Sequence, residues 1–124
     1  MKTRTNRLGF GALSVFLALV TTGPVLADFG QVVANVNRVL VTGDSTWGGC
    51  MALLSVNPQA VLPDCNSWWV TFSCSGDFTD AVRAYRMLDA AELALATGKS
   101  VQVFFQDDKK HNSYCFANRI DVIR

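Results

Sequence analysis

Apolar and polar residues alternate along several short stretches of the chain, which is the pattern of half-buried β-strands. The segments that show it are residues 31–41, 68–74, 99–107 and 115–124, and residues 50–56 form a short apolar run of strand length. In the first segment the alternation slips once between Asn35 and Arg38, which predicts a bulged or strongly bent strand. In the third segment the alternation is strict and predicts a core face and a wetter face. The core face is expected to carry Trp68, Val70, Phe72 and Cys74, and the wetter face Trp69, Thr71 and Ser73.

One segment has helical periodicity instead. Between residues 77 and 97, charged residues fill the gaps between apolar positions at helical spacing, which are Val82, Tyr85, Leu88, Ala91 and Leu95. Asp77 is the predicted N-cap, and Asp80 is placed to interact favourably with the helix dipole. Gly98 is the predicted stop, because glycine readily takes the left-handed conformation that follows a last helical turn.

The predicted elements are, in chain order, three strands, one helix and two strands. This is the order of the five-stranded OB barrel. We therefore predict an α+β fold, a small OB-like mixed barrel with its helix between strands 3 and 4, formed by a single domain over residues 28–124. A parallel α/β sheet is disfavoured, because one helix cannot supply the crossover connections that it needs.

The first 27 residues differ in composition and predict a cleaved secretory signal peptide. Three basic residues precede an apolar run at residues 9–20, and Val25-Leu26-Ala27 supplies a small-residue cleavage site after Ala27. The apolar run is shorter than the roughly 20 residues of a transmembrane helix. The protein is therefore expected to be secreted or periplasmic, with no membrane span after processing.

Charge argues against a nucleic-acid partner. The leader contains three of the eleven basic residues and none of the ten acidic residues, so its removal leaves a formal net charge of −2. The remaining chain lacks the basic stripe that nucleic-acid-binding proteins carry.

All four cysteines follow the leader: Cys50, Cys65, Cys74 and Cys115. An even number of cysteines in a short exported chain predicts two disulfides. A zinc site is disfavoured, because no Cys-x-x-Cys pair is present and His111 is the only histidine. Asp107 and Asp108 are followed directly by two lysines, which disfavours a calcium site. No metal or cofactor is expected.

Several short motifs resemble the B subunits of A-B toxins, in particular the subtilase-cytotoxin and pertussis-like group. The first strand ends in Val39-Leu40-Val41-Thr42-Gly43, and a cysteine-bounded hairpin from Cys50 to Cys65 is followed by a tryptophan. The passage from helix to strand at residues 94–103 is similar to the Thr-Gly-Gln-x-Val segment of that group. The chain is more similar still to small secreted proteins of Gram-negative bacteria, of no known activity, that share a plan of Cys, Trp, helix and Gly-Lys-x-Val.

The toxin resemblance implies a ring-forming homo-oligomer that binds sialylated glycans. It also implies disulfides between Cys50 and Cys65 and between Cys74 and Cys115, and we slightly prefer this pairing. The geometry of an OB-like barrel allows a different pairing, with Cys50 opposite Cys74. In that arrangement Cys65 lies near Cys115, where the third and fifth strands would run side by side.

The predicted wetter face of the third strand is the first candidate binding surface. Trp69 beside Thr71 and Ser73 suits a sugar, because an aromatic ring packs on the apolar face of a pyranose while hydroxyls fix its edge. Trp47, in the glycine-rich loop after the first strand, is a second candidate, since OB domains bind ligands through the loops after strands 1 and 4. The alternative is that the helix, a loop or another subunit covers Trp69, and that Trp47 only caps the end of the barrel.

His111 is predicted to lie in a solvated loop at residues 107–113, where it is a further candidate ligand contact. A catalytic role is disfavoured, because the cysteines are expected in disulfides and no serine has an elbow-like setting. We therefore expect a non-enzymatic binding module, similar to a toxin B subunit, for a glycan or a host surface. The alternative is a periplasmic or surface protein, structural or inhibitory, that buries its tryptophans against another protein.

Overall fold

The computed structural model describes residue 23 and residues 26–124, so that nearly all of the predicted leader lies outside the described residues. The elements are β1 (Phe29–Val41), β2 (Cys50–Leu54), a 3-10 turn (Pro58–Ala60), β3 (Trp69–Thr71), α1 (Ala81–Thr97), β4 (Ser100–His111) and β5 (Tyr114–Ile123). In the described part of the chain, no helix has both the length and the apolar character needed to cross a membrane.

The five strands form one mixed sheet that closes in a ring. Their order is β1-β2-β3-β5-β4, and β4 pairs in turn with β1. Every neighbouring pair is antiparallel except β3 and β5, which run parallel and meet at Thr71 and Phe116. The predicted α+β class, with one helix between the third and fourth of five strands, is confirmed.

Strand β1 is long enough to pair with two neighbouring strands. Its residues 29–35 pair with β4, and its residues 36–41 pair with β2. The register with β2 shifts between Val36 and Arg38, at the slip in the alternation pattern. An extra residue in one strand bends it and increases its twist, so the predicted bulge lies where β1 turns from one partner to the next.

The hydrophobic core lies inside the ring. Its largest fully buried side chains are Leu54, Val70, Phe72, Val101, Val103 and Phe105. Helix α1 packs mainly against β1 and β5 and adds Ala84, Leu88, Ala91 and Ala94 to the same core. Three of these four residues are alanines, whose small side chains leave room for the helix to lie close to the sheet.

The helix differs from its prediction at its start and in its buried face. Asp80 is the N-cap, because its Oδ1 accepts a hydrogen bond from the backbone N–H of Arg83 at 3.0 Å. The predicted N-cap, Asp77, lies in the preceding loop. Among the predicted apolar positions, Leu88 and Ala91 are buried, whereas Val82, Tyr85 and Leu95 are exposed. Gly98 ends the helix with a φ of 67°, as predicted.

The predicted solvated loop at residues 107–113 is mostly strand. Strand β4 continues to His111, and only Asn112 and Ser113 form the turn, both with a positive φ. A bulge in the pairing of β4 with β5 between Gln106 and Lys110 lets the charged segment remain in the ladder. His111 is therefore held by a strand end and is buried, at 8% exposure.

The two disulfides join Cys50 to Cys74 and Cys65 to Cys115. The preferred pairing, implied by the toxin resemblance, is therefore wrong. Cys50 begins β2, and its carbonyl accepts a hydrogen bond from the N–H of Phe72, which brings Cys74 alongside it. The parallel contact of β3 with β5 brings the connection before β3 to the start of β5, where Cys65 meets Cys115. This is the pairing that barrel geometry allowed.

Candidate functional site

Two tryptophans and a tyrosine surround one cleft on the outer side of the ring. We call it the aromatic cleft; its volume is about 200 Å³, and it is lined by Leu40, Trp47, Met51, Trp69 and Tyr114. Leu40 pairs with Met51, Met51 pairs with Thr71, and Trp69 lies two residues before Thr71. Because alternate residues of a strand share a face, Leu40, Met51 and Trp69 lie on the same outer face of β1, β2 and β3.

Trp47 reaches the cleft from the loop between β1 and β2. Its carbonyl accepts a hydrogen bond from Thr71 Oγ1 at 3.0 Å. The next residue, Gly48, has a φ of 74°, and a Cβ atom there would overlap the side chains of both His111 and Thr71. Only glycine therefore allows the loop to lie this close to the sheet, and this contact places Trp47 beside Trp69.

Tyr114 enters the cleft from the start of β5. It directly follows the turn at Asn112 and Ser113, and it precedes Cys115, which is joined by a disulfide to Cys65. The backbone N–H of Asn66 also donates to the carbonyl of Ser113 at 2.7 Å. The connection before β3 is thus fixed to the turn between β4 and β5, and this fixes Tyr114 relative to Trp69.

A chain of buried polar groups lies next to the cleft. The N–H of Ser73 donates to Thr71 Oγ1 at 3.2 Å, and Ser73 Oγ lies 3.1 Å from Nε2 of His111. Ser73 Oγ also accepts from the N–H of Phe78 at 3.1 Å. Thr71 and Ser73 have no exposed surface, so the prediction that they lie on a wetter face is wrong. Strand β3 ends at Thr71, and the loops before β2 and before α1 cover both hydroxyls.

His111 connects the end of β4 to the loop before α1. Its ring contacts Ser73, lies 3.6 Å from Asp77 Oδ2 and packs on Phe78 with ring centroids 4.4 Å apart. Burial lowers the pKa of His111 below its usual value of 6.5, although the negative charge of Asp77 acts in the opposite direction. Neutral imidazole is therefore the form that this packing favours.

The arrangement of Ser73, His111 and Asp77 differs from a catalytic triad. In a triad the carboxylate holds one ring nitrogen while the serine uses the other. Here Ser73 Oγ and the Asp77 carboxylate both face Nε2, and Ser73 is fully buried. The contacts support a structural role for His111. The described residues also contain no cluster of three side chains suited to hold a metal ion.

Trp68 lies outside the core, contrary to the predicted face assignment. It is 47% exposed and has a φ of 69°, which is rare for a bulky side chain. Its N–H donates to Asn57 Oδ1 at 3.1 Å, and its carbonyl accepts from the N–H of Leu54 at 2.9 Å. These two bonds hold the left-handed conformation, which breaks the strand alternation just before Trp69 and turns Trp68 toward solvent.

The five predicted site residues are brought together in one region, but in two different roles. Trp47 and Trp69 line the aromatic cleft, whereas Thr71, Ser73 and His111 form the buried network beside it. The sequence analysis missed Tyr114, Leu40 and Met51. Tyr114 could have been predicted from the sequence, because it lies next to the loop after strand 4, and OB domains bind ligands with that loop.

Comparison of the chain with protein-family models, with curated proteins and with solved structures finds no match. The resemblance to toxin B subunits therefore stays a prediction, and the function must be argued from the site itself.

Proposed function

We propose that this protein is an exported, non-enzymatic binding protein whose aromatic cleft holds one sugar ring of a glycan. The observation that carries the proposal is the convergence of Trp47, Trp69 and Tyr114, from three separate segments, around one cleft. Aromatic faces pack well on the apolar face of a pyranose, and indole N–H and phenol O–H groups can hydrogen-bond to its hydroxyls.

The size of the cleft supports a small ligand unit. Its volume of about 200 Å³ lies below the roughly 300 to 1,000 Å³ of sites for drug-sized molecules. One ring of a glycan can therefore lie in the cleft while the rest of the glycan extends over the surface. Its lining residues carry no charge, so a sugar carboxylate would find no cationic partner there. We therefore propose a neutral ring rather than the sialic acid that the toxin resemblance implies.

The position of the cleft in the fold supports the same function. The order of the elements, with the helix between β3 and β4, supports the OB-like fold that the sequence predicts. OB domains bind oligosaccharides and oligonucleotides on the face of strands 2 and 3, between the loops after strands 1 and 4. Trp47 belongs to the first of these loops, Trp69 to strand 3, and Tyr114 follows the second loop.

Export is supported by two independent features. The first 27 residues have the layout of a secretory signal, and all four cysteines are paired in disulfides. Disulfides persist in oxidising compartments, such as the periplasm and the extracellular space.

A glycan array probed with the exported protein tests the proposal. We expect a signal from glycans with neutral rings, and we expect Trp69→Ala to weaken it at least tenfold, which corresponds to about 1.4 kcal/mol of binding free energy. Trp68→Ala is the matched control, because it removes the same side chain from the neighbouring position outside the cleft. An empty array, or equal losses in both variants, would contradict glycan binding at this site.

A second candidate function, contact with another protein, is favoured by Trp68. Its side chain is exposed although its backbone is held in a strained conformation, and such strain concentrates at functional positions. If the protein contacts another protein through Trp68, Trp68→Ala should abolish binding of that partner, whereas Trp69→Ala should not. Light scattering of the two variants tests whether the partner is a second copy of the chain, since loss of an oligomer on Trp68→Ala alone would place Trp68 in that interface.

A further inference from the structure

A second cavity lies on a different part of the molecule. It has a volume of about 520 Å³ and lies between the start of α1 and the strands β4 and β5. Arg83, Arg86 and Lys109 are its cationic lining residues, and Phe78, Met87 and Phe116 are among its apolar lining residues. We call it the cationic groove. It shares no lining residue with the aromatic cleft.

The charged side chains that line the groove are all cations, although carboxylates pair with three lining residues: Asp80 with Arg83, Asp89 with Arg86, and Asp108 with Gln106. Three cations line it and no acidic side chain does, although the chain after the leader has more acidic than basic residues. Arg83 and Arg86 form ion pairs with Asp80 at 3.1 Å and with Asp89 at 3.9 Å. Both arginine side chains are about 80% exposed, and exposed pairs of this kind contribute little free energy. Both guanidinium groups can therefore still bind an incoming anion.

The apolar part of the groove is continuous with the core. Phe116 is 4% exposed, and Phe78 packs on it with ring centroids 5.6 Å apart. The wall on the β4 and β5 side is a pair of amides, in which Asn118 Nδ2 donates to Gln106 Oε1 at 3.1 Å. Gln106 Nε2 also donates to Asp108 Oδ1 at 2.6 Å. Both amides therefore have partners within the protein, and the charged groups that the lining offers to a ligand are cations.

We propose that the cationic groove binds a single-chain anionic lipid. The charged head lies among Arg83, Arg86 and Lys109, and the acyl chain covers Phe78, Val82 and Met87. A molecule with one anionic end and one apolar end matches both parts of the lining at once. The groove is concave and its volume falls in the range of sites for individual small molecules, so it suits a single lipid molecule rather than the surface of a bilayer.

The methionines of the chain allow a direct test. Met51 lines the aromatic cleft, Met87 lines the cationic groove, and the third methionine, Met1, belongs to the predicted leader. Exported protein labelled with ¹³C at its methionine methyl groups therefore carries one NMR reporter for each site. The probe is dodecyl phosphate, kept below its critical micelle concentration. We expect the Met87 signal to shift and saturate while the Met51 signal stays in place.

Two further ligands separate the contributions of head and chain. Tetraethylene glycol dodecyl ether has the same chain with a neutral head that contains no sugar, and inorganic phosphate has the head alone. We expect each to bind at least tenfold more weakly than dodecyl phosphate at Met87. Equal binding of tetraethylene glycol dodecyl ether would overturn the role of the cations, and equal binding of inorganic phosphate would overturn the role of the apolar surface.

The double variant Arg83→Gln, Arg86→Gln tests the residues themselves. Loss of two exposed charge contacts is expected to weaken the binding of dodecyl phosphate about tenfold. Lys99→Gln is the matched control, since it removes one exposed charge just beyond the other end of α1 and should leave the affinity unchanged. Circular dichroism checks that the helix is retained. An unchanged affinity of the double variant for dodecyl phosphate would contradict the proposal. The absence of a Met87 shift in the unaltered protein would contradict it as well.

Vesicles distinguish a single lipid from a membrane surface. If the protein sediments with anionic phosphatidylglycerol vesicles but gives no Met87 shift with dodecyl phosphate, the proposal that the groove binds a single lipid molecule is wrong. None of these results depends on sugar binding, so the glycan proposal and the lipid proposal can fail separately.

Discussion

At the scale of single residues, His111 links two parts of the chain that are distant in the sequence. It joins the end of β4 to the loop before α1 through Ser73 and Phe78, and its ring occupies the space that Gly48 leaves open. Sequence reasoning identified this histidine but placed it in solvent, because the charged residues 107–110 beside it are typical of a loop. Its burial depends on a bulge in β4 and on segments far away in the chain.

The stability of the protein should therefore fall on mild acidification. The pKa of His111 is lowered by burial in the folded state, so below about pH 6.5 the unfolded chain takes up a proton first. The contribution of neutral His111 to the free energy of unfolding is fully present above that pH, and it is lost as the pH falls through the lower pKa of the folded state. The midpoint of urea unfolding, measured at several pH values between pH 7.5 and 5, tests this expected loss of stability.

His111→Gln is the control for that measurement, because it removes the only histidine of the chain. The variant will be less stable at every pH, but its stability should change less than that of the unaltered protein between pH 7.5 and 5. An equal pH dependence in the two proteins would show that His111 is not the titrating group.

At the scale of elements, periodicity predicted the positions of the strands and the helix along the chain better than it predicted which of their residues are buried. The alternation slip at Asn35 to Arg38 is a real bulge, and Gly98 ends the helix. The buried face of the helix was predicted from its large apolar residues, yet Val82 is 70% exposed and Ala84 is fully buried. The close approach of the helix to β1 favours alanine at the contact, and no local pattern reveals that approach.

The start of the helix provides a direct test at this scale. Asp80→Ala removes the side chain that accepts from the N–H of Arg83 and is expected to lower the free energy of unfolding by about 1 kcal/mol. In a domain of this size such a loss lowers Tm by about 4 to 8 °C, which calorimetry resolves.

Asp89→Ala is the control for the capping effect. It makes the same substitution in the middle of the helix, where only an exposed ion pair to Arg86 at 3.9 Å is lost. It should change stability by less than about 0.5 kcal/mol. Equal effects of the two substitutions would mean that Asp80 is not an N-cap.

At the scale of the whole molecule, the two disulfides join parts of the ring that local structure does not hold together. Cys50 and Cys74 are 24 residues apart and join the start of β2 to the segment after β3. Cys65 and Cys115 are 50 residues apart and join the connection before β3 to β5. The second disulfide supports the short parallel contact of β3 with β5, where the ring has its briefest strand pairing.

Removal of either disulfide should destabilise the fold, and removal of the longer link should cost more. The chain-entropy model gives losses of about 3.4 kcal/mol for the pair Cys50→Ser, Cys74→Ser and about 4.1 kcal/mol for the pair Cys65→Ser, Cys115→Ser. Denaturant unfolding of the two double variants measures the difference. The reverse order would contradict the chain-entropy expectation, and native peptides that join Cys50 to Cys65 in mass spectrometry would contradict the connectivity.

The sequence by itself determined the features that depend on neighbouring residues. Five strands, one helix, the bulge in β1 and the glycine that ends α1 all follow from periodicity and from backbone preferences over a few residues. The even number of cysteines likewise predicted that all four would be paired.

Only the tertiary structure decided which distant residues meet. Closure of the ring brings Trp47, Trp69 and Tyr114 to one cleft, pairs Cys50 with Cys74, and buries Thr71, Ser73 and His111 against one another. These contacts join segments that are tens of residues apart, so they depend on strand order and register. Alternation along a single strand assigns two faces, but it cannot say which loop will cover one of them.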